Sequence, residues 1–340
     1  MMGEIKVGVI GNGYWGPNLI RNFVEIPQSE VVIVSDLNED RLATINAKYP
    51  RVKVTTNYKE LFDQDLDAVV IATPPITHYP LAKEVLERGY HVLVEKPFTT
   101  KAEHAEELIE IAAAQKLVLM VGHTYEYNNA VHAMKRVIES GELGQIYYVD
   151  TARLSLGLFQ PNMNVLWDLA PHDISILMYL LGNRPVSVCA HGAPCVFEGI
   201  HDVVYVDMQF PENILAHIHV SWLDPKKVRR TTVVGSKKML VYNDVEATEK
   251  IKIYDIGIDK LPYTDTFADF HFSYRYGDVI IPNIRFTEPL RVECQHFLDC
   301  IENHCEPQSG GKNGLAVVKV LEAAQNSLNR NGANQERISW

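Results

Sequence analysis

Cysteine is scarce in this chain. There are five in 340 residues, Cys189, Cys195, Cys294, Cys300 and Cys305, an odd number with no C-x-x-C pair. That spacing suggests neither a disulfide framework nor a zinc ribbon, and a reducing, cytoplasmic setting is expected. Long apolar runs are also missing. The longest, such as residues 117–121, are strand-sized, far short of the ~20 residues a membrane helix needs. Residues 1–7 hold no apolar leader core and enter a strand pattern at once, so no signal peptide is expected. Positive charge is in deficit: Lys plus Arg is 32 against 43 Asp plus Glu, a formal net charge of −11. Without a general field for a polyanion, neither nucleic acid nor a membrane surface is an expected partner. Local dipoles can still hold a small anionic ligand. No internal repeat or low-complexity tract is found. What remains, 46% hydrophobic and 22% charged, is the composition of a folded globular protein long enough for two domains.

The first 124 residues alternate strand and helix signals. Short β-rich runs at 5–10, 31–35, 66–72, 91–94 and 117–121 are interleaved with helical spacing at 14–24, 39–49, 79–88 and 101–115. This predicts a doubly wound parallel sheet. From about residue 125 the texture changes. Helices are predicted at 130–140 and 173–181, then period-two runs between 186 and 256 separated by turn signals, which is the pattern of an antiparallel sheet. Residues 257–289 show no clear period and read as a long ordered loop rich in Tyr, Phe and Asp. Two terminal helices are predicted at 289–303 and 313–329. The fold class is therefore α/β: an N-terminal doubly wound domain over 1–124, then an α+β domain over 125–340 with a large, mainly antiparallel sheet.

The turn after the first strand reads Gly11-Asn12-Gly13-Tyr14-Trp15-Gly16, a G-x-G-x-x-G placed between strand and helix. The first glycine allows the tight turn. The second lets backbone approach a pyrophosphate, and the third lets helix pack on strand. Exposed N–H groups and the helix dipole then favour phosphates. Asp36, followed by Leu37, ends the second strand twenty residues after Gly16. A carboxylate there accepts from both ribose hydroxyls and repels a 2′-phosphate. NAD is thus favoured over NADP.

Two further segments follow strands at the same edge. Thr73-Pro74-Pro75-Ile76-Thr77-His78 follows one, and Glu95-Lys96-Pro97 follows the next. In open α/β sheets ligands bind outside the carboxyl ends of the strands. A lysine there can hydrogen-bond a substrate oxygen and stabilise developing alkoxide charge, although an isolated lysine is more often a solvated surface group. Later, Trp167-Asp168-Leu169-Ala170-Pro171-His172-Asp173 opens an apolar helix. Asp168 and His172 are one turn apart and share a face if the helix has already begun; Pro171 suits the first turn, which leaves the local geometry open. An imidazole is the natural base for a hydroxyl proton near neutral pH. On the local pattern alone, Asp168 or Asp173 as a helix cap and His172 as a packed residue is the simpler reading.

Taken in order, Gly11 to Gly16, Asp36, Thr73-Pro74-Pro75…His78, Glu95-Lys96-Pro97 and Asp168…His172 resemble the Gfo/Idh/MocA oxidoreductases along the whole chain. The Glu-Lys-Pro and Asp-x-x-x-His motifs together are specific; the glycine motif alone is not. The resemblance implies a Rossmann domain, a second domain whose open sheet often forms a dimer or tetramer interface, and C-terminal helices that fold back toward the first domain. It implies oxidation of a sugar or cyclitol hydroxyl, or the reverse, with a nicotinamide cofactor. His172 would be the general acid/base, Lys96 the second polar catalytic group, and Asp168 the residue that orients His172 or touches substrate. Thr73, Pro74, Pro75, His78, Glu95 and Pro97 would line the cofactor.

The similarity leans toward members acting on nucleotide-linked sugars. The segment 121–128, Val-Gly-His-Thr-Tyr-Glu-Tyr-Asn, departs from the Asn-Arg-Arg-Phe-like version common in the family. It is expected to face substrate, which makes Tyr125, Tyr127 and Asn128 substrate candidates along with Trp167 and Arg153. Arg153, Arg229 and Arg230 suit a diphosphate, though each alone is more simply an ion-pair residue. His217 and His219 share a strand face and read as a packed or interface pair, and no metal is expected. Cys294, Cys300 and Cys305 read as small core residues, and the aromatics of 263–276 as interface. Two other functions stay open: an NAD-dependent glycoside hydrolase working by transient oxidation at C3, and a non-enzymatic NAD sensor.

Overall fold

The computed structural model describes residues 4–260 and 272–340. Its first part is a run of strands and helices: β1 Ile5–Ile10, α1 Gly16–Glu25, β2 Ser29–Ser35, α2 Glu39–Lys48, β3 Lys53–Thr55, β4 Ala68–Ile71, α3 His78–Glu87, β5 His91–Glu95, α4 Ala102–Gln115 and β6 Leu119–Gly122. The six strands form one parallel sheet in the order β3-β2-β1-β4-β5-β6. Strands β4 and β6 are buried along their whole length, as sheets covered on both faces require. Because every strand runs the same way, the turns after β1, β4, β5 and β6 all emerge at one edge. The chain order reverses between β1 and β4, which places the glycine turn and the Thr73 turn at the switch point.

The second part holds α5 Asn129–Glu139, β7 Ile146–Leu154, α6 Val165–Leu181, β8 Ser187–Ala193, β9 Val203–Gln209, β10 Leu215–Ser221, β11 Val228–Gly235, β12 Met239–Asn243, β13 Ile251–Lys260 and β14 Phe272–Ile280. Then follow α7 Pro289–Asn303, α8 Gly311–Asn329 and β15 Glu336–Arg337. Nine strands build a sheet in the order β14-β13-β12-β11-β7-β10-β9-β8-β15. Only β7 and β10 pair in parallel; the other neighbours are antiparallel.

The chain divides into two compact units. One runs to Tyr127 and includes Thr287–Lys319; the other is Asn128–Phe286 with Val320–Trp340. Helix α7 thus belongs to the Rossmann unit. It packs on α1 through Phe297, whose ring meets Phe23 edge-on at 6.3 Å with both fully buried. Such a pair adds about 0.5–1.5 kcal/mol beyond its buried area.

Three expectations about elements need correction. Within 257–289, the described residues up to 260 and from 272 to 280 form not a loop but an antiparallel pair, with Ile258 opposite Tyr274, while 281–288 have no regular secondary structure. A register irregularity between Tyr254 and Ile256 breaks the alternation that would have announced it. Residues 261–271, which include several of the expected interface aromatics, lie outside the described residues. Helix α6 begins at Val165, eight residues before the predicted start. Its cap is Asn164, whose Oδ1 accepts the Trp167 N–H at 3.3 Å. Neither Asp168 nor Asp173 caps it. Pro171 sits inside the helix, where it removes the N–H that residue Trp167 would otherwise receive. Of the three late cysteines, Cys294 and Cys300 are core residues, but Cys305 is exposed.

Candidate active site

The glycine turn is built by close contacts within the Rossmann unit. Gly11 has φ +100° and donates its N–H to the Ser35 carbonyl at 2.7 Å. A Cβ there would lie 2.5 Å from the carbonyl of Ala72, the residue just after β4, so the neighbouring backbone excludes any side chain. A Cβ on Gly16 would lie 2.3 Å from the Gly11 carbonyl, so helix α1 rests directly on the turn. Gly13 differs. A Cβ there would meet only the Arg41 guanidinium, at 3.7 Å. The protein itself has no need of glycine at 13, whereas a pyrophosphate lying on the turn does. The turn therefore fits a dinucleotide.

Asp36 is held ready beside that turn. Its Oδ2 accepts the Asn12 N–H at 2.6 Å and its Oδ1 the Asn38 N–H at 2.9 Å. Asn12 in turn donates its side-chain amide to the Arg41 carbonyl. Tyr14 and Leu37 stand exposed to solvent. Arg41, which the sequence reading passes over, brings Nη1 to 3.7 Å from Asp36. Its position, in the first turn of α2, gives no sequence signal distinguishing it from any exposed helical arginine.

The next two turns are tied together from behind. The His78 ring is fully buried, with Nδ1 2.8 Å from the Pro97 carbonyl and Nε2 2.8 Å from the Thr73 carbonyl. Burial drives this imidazole toward its neutral form, and the two carbonyls oppose that. His78 thus joins the turn after β4 to the turn after β5. Pro74 is exposed and Pro75 half-buried, while Pro97, after a cis peptide bond to Lys96, is buried. Glu95 is buried; its Oε2 accepts the Lys96 N–H at 3.1 Å, and the Trp15 indole also donates to it. Burial pushes this carboxyl up to about 7, against the pull of the Lys96 charge. Lys96 itself is half-buried.

After β6 comes His123, buried, with neither ring nitrogen hydrogen-bonded, and held down to about 3 by burial and the Lys96 charge. Tyr125 is half-buried. Tyr127 lies in the core, 3% exposed, with its hydroxyl 2.9 Å from Ser309 Oγ.

In the second unit, Asp168 and His172 occupy successive turns of α6 and so share a face. Asp168 Oδ2 accepts the Trp222 indole N–H at 3.0 Å. His172 is half-buried. The Trp167 indole donates to Gln325 at 3.1 Å. Asn128 caps α5, its Oδ1 accepting the Ala130 N–H at 2.8 Å. Arg153 is buried and paired bidentately with Asp173, at 2.7 and 3.3 Å. Arg229 pairs with Asp244 at 3.4 Å and Arg230 with Asp150 at 3.7 Å. The ion-pair reading is therefore what the structure shows for all three arginines. His217 contacts Asp207 at 2.7 Å, and the Tyr205 ring stacks on His219 at 4.2 Å. Among the described residues no cluster of three or more His, Cys, Asp or Glu is arranged to hold a metal. None of them forms a helix long and apolar enough to cross a membrane.

Two family models match the chain. One describes an oxidoreductase family with an NAD-binding Rossmann fold and covers residues 5–123; the other is the Gfo/Idh/MocA C-terminal domain and covers 131–241. The UDP-N-acetylglucosamine 3-dehydrogenase of Acidithiobacillus ferrooxidans is 27% identical over 96% of this chain and 99% of its own. Its crystal structure superposes with a TM-score of 0.79 at 25% identity, covering 98% of this chain and 100% of that one. The scyllo-inositol 2-dehydrogenase (NAD(+)) of Bacillus subtilis is 26% identical over 97% of this chain and 95% of its own. GenD2 from gentamicin A biosynthesis, solved in complex with NAD, shares the fold with a TM-score of 0.83 at 22% identity, over 100% of this chain and 98% of that one. With motifs, sheet order and both domain models in agreement, the chain belongs to the Gfo/Idh/MocA family of oxidoreductases, and its first unit is that family's NAD-binding Rossmann domain.

Proposed function

We propose that this oxidoreductase acts on a secondary alcohol or the matching ketone of a sugar, one linked to a nucleotide. The observation that carries the chemistry is the Asp168–His172 pair on one face of α6, with Asp168 fixed by the Trp222 indole. In this reading His172 takes the hydroxyl proton of the substrate and returns it in the reverse direction. Lys96, at the carboxyl edge of the Rossmann sheet, is the second polar catalytic group, whose ammonium stabilises alkoxide character on the substrate. Asp168 orients the imidazole. Gly11 to Gly16, Asp36, Thr73, His78 and the Glu95–Pro97 turn hold NAD, which supplies the hydride acceptor when bound. Trp167, Tyr125 and Asn128 are the remaining candidates to contact the sugar. The nucleotide link is supported by the relative named for a UDP-sugar.

The second sheet supports self-association. Tyr148 and Leu215, paired across β7 and β10, are 45% and 56% exposed. A homodimer or homotetramer through this sheet is our reading, checked by light scattering of the purified protein.

The function is tested by following NADH absorbance with NAD and a panel of free and nucleotide-linked sugars. NADH formation with nucleotide-linked sugars supports the proposal. Glycoside cleavage without net NADH favours the hydrolase instead, and NAD binding with neither reaction favours the sensor.

A further inference from the structure

Glu293 lies in the second turn of α7 and is completely buried. The Thr124 hydroxyl donates to its Oε2 at 2.8 Å. Its Oε1 is buried with no hydrogen-bond partner. The charged groups acting on it are two more carboxyls, Glu95 on β5 and Glu126 after β6, 9% and 1% exposed. Tyr127 and the neighbouring Cys294 face it as well, and both are pushed toward their protonated forms. From α1, Arg21 is paired with Glu288, at the other end of α7's first turns. A half-buried cation of the region, Lys96, acts on Glu95 and His123.

An ionised carboxylate in this place would be desolvated, with one neutral hydroxyl for support and carboxyls for neighbours. Two such groups close together do not both ionise near neutral pH. Glu95 has a backbone N–H, an indole N–H and the Lys96 charge beside it, so it is the better anion of the two. Glu293 has none of these, and its carboxyl is raised well above the ordinary range.

The position of Glu293 gives its proton a consequence. Glu95 and Gly122 are register partners at the ends of β5 and β6, and a Cβ on Gly122 would lie 3.1 Å from the Glu95 carboxyl. Thr124 opens the short helical segment that follows. That segment is tied down at three points: Thr124 to Glu293, the Glu126 carbonyl to the Gln308 amide at 2.8 Å, and the Tyr127 hydroxyl to Ser309. The first tie is the one adjoining the Lys96 turn.

We propose that Glu293 is a positioning residue that works as a neutral carboxylic acid. It fastens Thr124 beside the Glu95–Lys96 edge and, by keeping its proton, leaves Glu95 as the single anion of the buried pair. The role in catalysis rests on the function proposed above; the protonation state does not.

Three readouts on the full-length protein test this. Infrared difference spectra taken above neutral pH, where Glu95 has lost its proton, should show the carbonyl stretch of a protonated carboxylic acid in the wild type and lack it in Glu293→Gln. Thermal unfolding should show the wild type losing Tm from neutral to alkaline pH more steeply than Glu293→Gln, because a raised carboxyl favours the folded state only while it stays protonated. The alkaline limb of kcat/KM should move to higher pH in Glu293→Gln. Thr124→Val serves if the glutamine variant does not fold. It removes a donor that favours the ionised form, so the alkaline fall in Tm should shift upward. Parallel Tm profiles with the band unchanged, or a downward or absent shift in Thr124→Val, overturn the proposal. The spectral and thermal results stand whether or not any sugar is turned over, so failure of this inference and failure of the functional reading are separable.

Discussion

The Trp222 indole N–H and the Asp168 carboxylate meet at 3.0 Å in the second unit, joining residues 54 apart in the chain. The tryptophan is 1% exposed, and the Phe159 ring packs on it at 5.3 Å. This contact holds the carboxylate that lies one helical turn from His172. A hydrogen bond to a charged group contributes about 1.5–3 kcal/mol. Trp222→Phe should therefore lower kcat/KM about 10- to 100-fold, with NAD affinity kept. Steady-state kinetics beside NAD titration check this; equal loss of both would place Trp222 in general stability instead.

Gly13 and Gly16 separate cofactor binding from folding. Gly13→Ala meets nothing closer than 3.7 Å in the protein, whereas Gly16→Ala places Cβ 2.3 Å from the Gly11 carbonyl. The first should melt within about 1 kcal/mol of wild type yet lose NAD affinity tenfold or more, a loss of about 1.4 kcal/mol. The second should lower Tm in the absence of NAD. Calorimetry with and without NAD distinguishes them.

His78 joins two turns through two carbonyls. His78→Ala removes the buried ring N–H between the two turns and opens a cavity, so a loss of about 2–5 kcal/mol is expected, with weaker NAD binding. Denaturant unfolding and NAD titration measure the two effects.

Glu95 provides a pH test of its own. Its carboxyl is raised to about 7 in the folded protein, above the ordinary value. The stability it contributes is fully present below the unfolded-state value and is lost as pH rises through about 7. Wild-type Tm should fall across that window relative to Glu95→Gln. Parallel curves would show that the carboxyl ionises at its ordinary pH.

The parts of this fold legible in the sequence are those whose signals are local. The glycine turn, Asp36 and the six-stranded alternation each fit within a few adjacent residues. Helix α6 was harder. Of its seventeen residues eleven are buried, so no polar face marks its period, and Pro171 reads as a start when it lies inside. The true cap, Asn164, is a single residue ahead of an apolar run. The edge strand β14 is open to solvent over much of its length and loses the alternation that marks a half-buried strand, and a register irregularity interrupts its neighbour β13. Long-range partners left no trace: Trp222 for Asp168, Glu293 for Thr124, Ser309 for Tyr127 and Asp173 for Arg153 are side-chain contacts that only the tertiary fold creates.

The central proposal is that turnover of a sugar with NAD needs both His172 and Lys96, neither of which is needed to hold NAD. The most direct measurement is NADH formation with nucleotide-linked sugars, comparing wild type, His172→Ala and Lys96→Ala, with NAD affinity recorded for each. The account predicts NADH from the wild type and a loss of about 10²- to 10⁴-fold in His172→Ala, a comparably large loss in Lys96→Ala, and NAD binding retained in both. Wild-type rates in both variants, or no reaction with any sugar in either direction, would contradict it.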